Sequence, residues 1–310
     1  LRFAIALEFA SPEPGNNRVV KPLAYIGVPI DSVGRHGGTE HGPAALRDLG
    51  LPAALGGEDG GDLEVRVRGE KRDAETGILA SDDVLATTVA IRGAIAELVG
   101  EGVRPFLAGG CCAELPGALA GARDALGTIG LVDLDGHLDL YDGETSPTGE
   151  AADMPVSVAL GLGPAAWVET AGGASVEPQR TALVGFRDQA ESIECGMRQP
   201  ETIDPPPIQR SAEDLKAVGP GLDATEVVGL LGPAPFWLHL DVDVLDETIF
   251  PATDYPMPNG LTWDELTAVL QPLLSSPQLI GASLACYNPE KDPDRTYGRA
   301  LIRILSDATT

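Results

Sequence analysis

Cysteine is scarce in this chain of 310 residues: there are four, Cys111, Cys112, Cys195 and Cys286. Adjacent cysteines cannot easily bridge each other, and no secreted disulfide framework is visible. Basic charge is also in short supply, with 21 Lys and Arg against 47 Asp and Glu, for a net charge of −26. Nucleic-acid binding needs clustered cations that the chain lacks, which argues against such a partner and against an anionic membrane surface. The acidity itself reads as a strongly solvated surface. No apolar run is long enough to cross a bilayer, and Leu1–Leu7 is too short for a signal peptide, so a cytoplasmic protein is expected. There is no internal repeat and no linker long enough to divide the chain. No Gly-rich phosphate loop follows a strand, which sets aside a nucleotide-binding reading. A single domain over residues 1–310 is therefore expected.

What the sequence does have is alternation. Apolar runs read as strands at Leu23–Pro29, Arg104–Ala108, Thr128–Leu134, Thr181–Phe186, Phe236–Leu240 and Leu279–Ala285. Between them, helical spacing predicts a short helix from about Pro43, a long one from an N-cap at Ser81 to about Val99, and one from about Ala113 to Leu126. Further helices are expected at Pro155–Leu162, Thr262–Leu274 and Asp294–Leu305. Thr262 and Glu265 form a capping box, and Pro272 is placed to end that helix early. Segments 53–75, 140–152 and 200–222 read as loops. Strands alternating with helices imply an α/β fold with a mainly parallel sheet covered on both faces.

Two acidic motifs follow apolar strands. Asp135, His137 and Asp139 alternate along a segment read as extended, so their side chains can share one side, and Asp241 and Asp243 have the same spacing. Strand C-terminal ends are where open α/β sheets bind ligands. Four carboxylates and an imidazole in one cleft repel one another unless cations lie between them. This donor set suits Mn²⁺, and also Fe²⁺, Co²⁺, Ni²⁺ or Zn²⁺. A lone Asp at a strand end is an ordinary loop cap; five such residues in two motifs favour a site.

These motifs resemble those of the ureohydrolase family, meaning arginases, agmatinases and formimidoylglutamases, over nearly the whole chain. Ile26-Gly-Val-Pro29, Gly38-Thr-Glu-His-Gly-Pro43 and Leu46-Arg47 look like the family's N-terminal signature. Asp135-Gly-His-Leu-Asp139 resembles its D-A-H-x-D motif, and His239-Leu-Asp-Val-Asp-Val-Leu-Asp246 its S-x-D-x-D-x-x-D motif. Pro251-Ala-Thr, Gly260-Leu-Thr262 and Asn288-Pro289 continue the likeness. The resemblance implies a three-layer α/β/α sandwich, a trimer or hexamer, and two Mn²⁺ per chain. Asp135 and Asp241 would bridge the ions, His137 and Asp243 would complete one shell, and Asp139 would serve the other. Such a pair of ions activates water for attack on a trigonal carbon bonded to nitrogen. Asp139 would then move a proton toward the leaving amine.

The departures bear on specificity. The family's G-G-D-H-S motif reads Gly109-Gly-Cys-Cys-Ala113, with Cys112 where the family has a metal-binding His. Two readings stand there: a thiolate ligand favouring a softer ion such as Zn²⁺ or Fe²⁺, or an inert buried thiol beside a weak or empty site. Ala152 stands where arginases carry a shuttle His, with Glu150 and Asp153 the nearest ionisable residues, so Glu150 joins His137 and Asp139 as a candidate catalytic residue. Cys286 replaces a Glu that pairs with the substrate guanidinium, which argues against arginine as substrate. His239, in the family's Ser position, shares a face with Asp241 by alternation, and two readings stand for it: packing, or a role in the site. His36 and His41 favour loop roles, with replacement of the shuttle as the alternative for one of them. Phe186-Arg187-Asp188 resembles a segment near the substrate tail, and Trp167, Trp237 and Trp263 read as packing residues. The expectation is a metal-dependent hydrolase of a non-peptide C–N bond in a small amidine, guanidino compound or amide. The alternative is a catalytically impaired relative with a binding or structural role.

Overall fold

The computed structural model describes residues 22–33 and 37–309. Leu1–Leu7 and His36 lie outside the described residues. Eight strands form one sheet, all pairs parallel, in the order β2-β1-β3-β8-β7-β4-β5-β6. They are β1 (Leu23–Val28), β2 (Glu58–Asp62), β3 (Arg104–Gly109), β4 (Gly130–Leu134), β5 (Thr181–Val184), β6 (Ile208–Arg210), β7 (Phe236–Asp241) and β8 (Leu279–Ala285). The sheet carries a separate apolar core on each face. Ile26, Leu107, Leu131 and Trp237 pack against helices Ser81–Gly100 and Leu115–Leu126. Val132, Leu134, Leu238 and Leu284 pack against helices Pro220–Leu230, Trp263–Leu274 and Thr296–Thr309. This is the expected α/β sandwich, and no helix among the described residues is long and apolar enough to cross a membrane.

The central strands lie where the apolar runs placed them, because strands buried on both faces are apolar throughout. The edges differ. Segment 53–75 contains β2, Glu-Asp-Gly-Gly-Asp, and segment 200–222 contains β6 and the helix Ala212–Val218. An edge strand pairs on one side only and is partly exposed, so it needs no apolar pattern. Two boundaries also move. Ala80, at φ 49°, caps the long helix and Ser81 is its first residue. Pro272 lies inside the helix Trp263–Leu274 without shortening it, because the helix ends two residues later; the Thr262–Glu265 capping box opens it as expected.

Strand order brings four loops together. β7 and β8 lie between β3 and β4, so the C-terminal ends of β3, β8, β7 and β4 are neighbours. These ends carry Cys112, Cys286, Asp241 and Asp135. Register aligns Asp133 of β4 with His239 of β7, and His239 with Ser283 of β8. All three point to the face of Leu131 and Trp237, forming a buried polar row one step below Asp135 and Asp241.

Candidate metal centre

β4 stops at Leu134, and residues 135–139 follow as a bent loop in which Asp139 takes φ 50°. The expectation of simple alternation along an extended segment is therefore corrected. Local hydrogen bonds shape the loop instead. Asp135 Oδ1 accepts the His137 amide (2.7 Å), Asp243 Oδ1 accepts the Gly136 amide (3.1 Å), and Asp188 Oδ2 accepts the Leu138 amide (3.3 Å). A side chain at position 136 would press on the Asp243 carboxylate and the Arg187 guanidinium. The second motif is corrected likewise. β7 ends at Asp241, and Asp243 sits in a 3-10 turn whose amide donates to Asp241 Oδ1 (2.8 Å). Arg187 clamps that turn by donating to the carbonyls of Asp243 (2.7 Å) and Val244 (3.1 Å).

The side chains form two adjoining halves. In one, His137 Nδ1 lies 3.1 Å from Asp243 Oδ2 and 3.6 Å from Asp135 Oδ1. In the other, the Cys112 thiol donates to Asp241 Oδ2 (2.8 Å) and lies 3.6 Å from the Cys286 sulfur. Donor atoms of Cys112, Asp241 and Cys286 all fall within 4.8 Å of one another, as do those of Cys112, Asp135 and His239. His239 is fully buried; its Nδ1 is 2.7 Å from Ser283 Oγ, which also accepts from Trp237 Nε1 (3.0 Å), while its Nε2 has no partner.

The charges are poorly compensated. Burial, then the neighbouring Asp243, raises Asp135 to about 7. Asp139 and Asp241 are pushed well above the carboxylate range, first by burial and then by the other carboxylates. Asp243 alone is held low: burial raises it, but His137, Arg187 and the Gly136 amide outweigh that. His137 is correspondingly raised by Asp243 and Asp135 against the opposing effect of burial. Burial lowers His239 to about 3, so its imidazole is neutral. Four buried carboxylates, the His137 imidazole beside two of them and the orphaned His239 nitrogen fit divalent cations. The oxygen and imidazole donors of the His137 half suit manganese, whereas the sulfurs of the Cys112 half suit a softer ion.

Spacing within the motifs does not reveal every member. Asp133 and Glu114 are buried, and neither carboxylate has a partner. Burial and then Asp241 push Glu114 well above the ordinary carboxylate range, and a side chain at Gly109 would collide with it. Asp133 is the one charge in an otherwise apolar strand, two residues before Asp135, a signal present in the sequence; Glu114 and Ser283 carry none. The remaining candidates lie in loops. Glu150 accepts the Tyr255 hydroxyl on both oxygens (2.9 Å). Asp153 accepts from Ser146 (2.7 Å) and Thr148 (3.1 Å) and is raised to about 7, chiefly by burial. His41 is largely exposed, 3.8 Å from Glu40 and Glu290, as a loop role requires. Trp167 and Trp237 are fully buried core residues. A hollow of about 510 Å³ beside Arg187, lined also by Phe186, Gln189 and Lys216, includes none of the metal-type residues.

Residues 21–309 match the arginase family. The chain belongs to the arginase family. It is 26% identical over 297 residues to the arginase of Bacillus subtilis, covering 92% of this chain and 96% of that one. It is 32% identical over 211 residues to the N(omega)-hydroxy-L-arginine amidinohydrolase of Streptomyces lavendulae, covering 67% and 70%. Among solved arginase-family structures, the arginase of Bacillus caldovelox superposes with a TM-score of 0.82 at 24% identity, covering 94% of this chain and 98% of that one. The shared fold places the Asp motifs of this family member at the sheet's carboxyl edge.

Proposed function

We propose that this protein is a metal-dependent hydrolase of a non-peptide C–N bond, acting on a guanidino compound, an amidine or a small amide, and is not a standard arginase. The observation that carries the reading is the convergence of Asp135, His137 and Asp243 in one donor group and of Cys112, Asp241 and Cys286 in another at adjacent strand ends, with Asp139 buried close by. When bound, divalent ions there supply an activated water and stabilise developing negative charge. Asp135, His137 and Asp243 would hold one ion, and Asp241, Asp139 and Cys112 would hold the other. Asp139, pushed above the ordinary carboxylate range by burial and then by the neighbouring carboxylates, would take a proton from the activated water and pass it to the leaving amine. Glu150, fixed by Tyr255, offers a carboxylate to a cationic substrate in place of the Glu that Cys286 replaces. The substrate is thus a small molecule, and the family likeness supports a homo-oligomer.

The test is a panel of arginine, agmatine, guanidinobutyrate, formimidoylglutamate and simple amides, run with metal analysis of the purified protein. Turnover of one class, abolished in Asp241→Asn, supports the proposal. Efficient urea release from arginine overturns the exclusion of arginase activity. A second reading, a catalytically impaired relative, rests on Cys112, Cys286 and Ala152 standing at three functional positions of the family. It predicts bound metal with no turnover of any member of the panel.

A further inference from the structure

We propose that the Cys112 half is a thiolate site for a zinc-like ion, ligated by Cys112, Cys286, His239 Nε2 and Asp241, so that the protein carries two unlike metals. The inference rests on the two-ion reading above and changes the ligand set of one ion. Cys286 then acts as a ligand and not merely as a lost substrate contact. His239 takes the place of the imidazole that position 112 lacks.

Two observations converge on it. The Cys112 and Cys286 sulfurs are 3.6 Å apart and both reach the neighbourhood of Asp241, from the ends of the paired strands β3 and β8. A zinc ion accepts sulfur at about 2.3 Å and imidazole nitrogen at about 2.0–2.1 Å, so donors this close need only small shifts to share one ion. The second observation is the histidine. His239 is wholly buried with Nε2 unpartnered, and a ring nitrogen of His239 lies within 4.8 Å of donor atoms of Cys112 and Asp135, a group that shares Cys112 with the first. A buried polar atom left unpaired is costly, and native structures rarely retain one without a role. Ser283 Oγ, already accepting from Trp237, has a second lone pair for His239 Nδ1–H. That tautomer leaves Nε2 bare and oriented for a metal, with the Ser283 hydroxyl as the outer partner such ligands commonly have. Asp135, which belongs to both donor groups, connects this site to the His137 half.

The test uses the metal-stripped full chain loaded with Co²⁺ as a probe. The expected result is a thiolate-to-cobalt charge-transfer band in the near ultraviolet, roughly halved in Cys112→Ser and in Cys286→Ser and absent in the double variant. His239→Asn should keep the band and weaken Zn²⁺ binding at least ~10-fold. X-ray absorption of zinc-loaded wild-type protein needs no variant to fold and should show sulfur scatterers at about 2.3 Å. Loading with equimolar Zn²⁺ and Mn²⁺ should give one of each per chain. A stoichiometric cobalt complex without the band, a zinc shell of oxygen and nitrogen only, or unchanged Zn²⁺ affinity in His239→Asn would overturn the assignment. The band with no turnover of any panel substrate keeps the thiolate site and removes the hydrolase. Turnover with an oxygen–nitrogen shell does the reverse.

Discussion

The two halves of the centre are held by different kinds of structure. Asp135, His137 and Asp243 sit on a bent loop and a 3-10 turn beyond the strand ends, aimed by backbone amides and the Arg187 clamp. His239 and its Ser283 partner lie within paired strands, Asp241 ends one and Cys286 directly follows another, and only Cys112 sits in a 3-10 turn. Loop geometry can adjust to an ion with oxygen ligands. A strand-borne donor is fixed before any ion arrives, as a site selective for one kind of ion requires.

The sharpest way to break this comparison is to remove a residue hydrogen-bonded to members of both halves. Asp241 accepts from Cys112 in one half and from the Asp243 amide in the other. Asp241→Asn should weaken both ions about 100-fold or more and abolish turnover, read by metal analysis and calorimetry. Loss of only one ion would show that the halves are independent. Making the halves alike comes next. Cys112→His should shift the Cys112 half from Zn²⁺ toward Mn²⁺ by roughly tenfold in relative affinity, measured by competition between the two ions. An unchanged preference would mean that Cys112 does not contact the ion.

A smaller change tests the strand-held geometry. Ser283→Ala frees the His239 ring and should weaken Zn²⁺ about tenfold while leaving Mn²⁺ at the His137 half unaffected. Equal weakening of both ions would point to general damage to the sheet.

The loop-held half also makes the metal-free protein sensitive to pH. Asp135 is raised from 3.8 to about 7, so the folded protein retains a proton that the unfolded chain loses. The stability this gives is complete below pH 3.8 and disappears as pH climbs toward about 7. Asp243, held low, loses its contribution only below the ordinary carboxylate range, outside that window. Metal-free protein should therefore melt at a higher temperature at pH 5 than at pH 8, and added Mn²⁺ should erase the difference. A pH-independent melting temperature would contradict the crowding described here. The least effect belongs to Asp153. Asp153→Asn keeps an acceptor for Ser146 and Thr148 while removing a buried charge, so it should raise the melting temperature at pH 8 by a few degrees and not at pH 4. A fall in turnover instead would place Asp153 in substrate handling.

The same contrast explains what was legible in the sequence. Runs such as Phe236–Leu240 and Leu279–Ala285 betray central strands because both their faces are buried. β2 and β6 escape notice because edge strands carry polar residues without penalty. The helix Ala212–Val218 is missed although Ser211 and Asp214 cap each other at its start, since an Asp in the box is less conspicuous than a Glu. The Asp motifs are visible because their ligands are close in sequence. The Asp133, His239 and Ser283 row exists only through register between strands, which one-dimensional spacing does not encode.

That register makes ion capture a proofreading step for assembly. Donors at positions 112, 135, 241 and 286 meet only when β3, β8, β7 and β4 are all in place, although β7 and β8 are the last two strands in the chain. A slip of one residue in β7 would turn His239 and Asp241 to the opposite face, into the core that holds Leu238 and Leu240. A misregistered chain thus offers a divalent ion only scattered side chains, and the ion stabilises the correctly threaded sheet over its near neighbours.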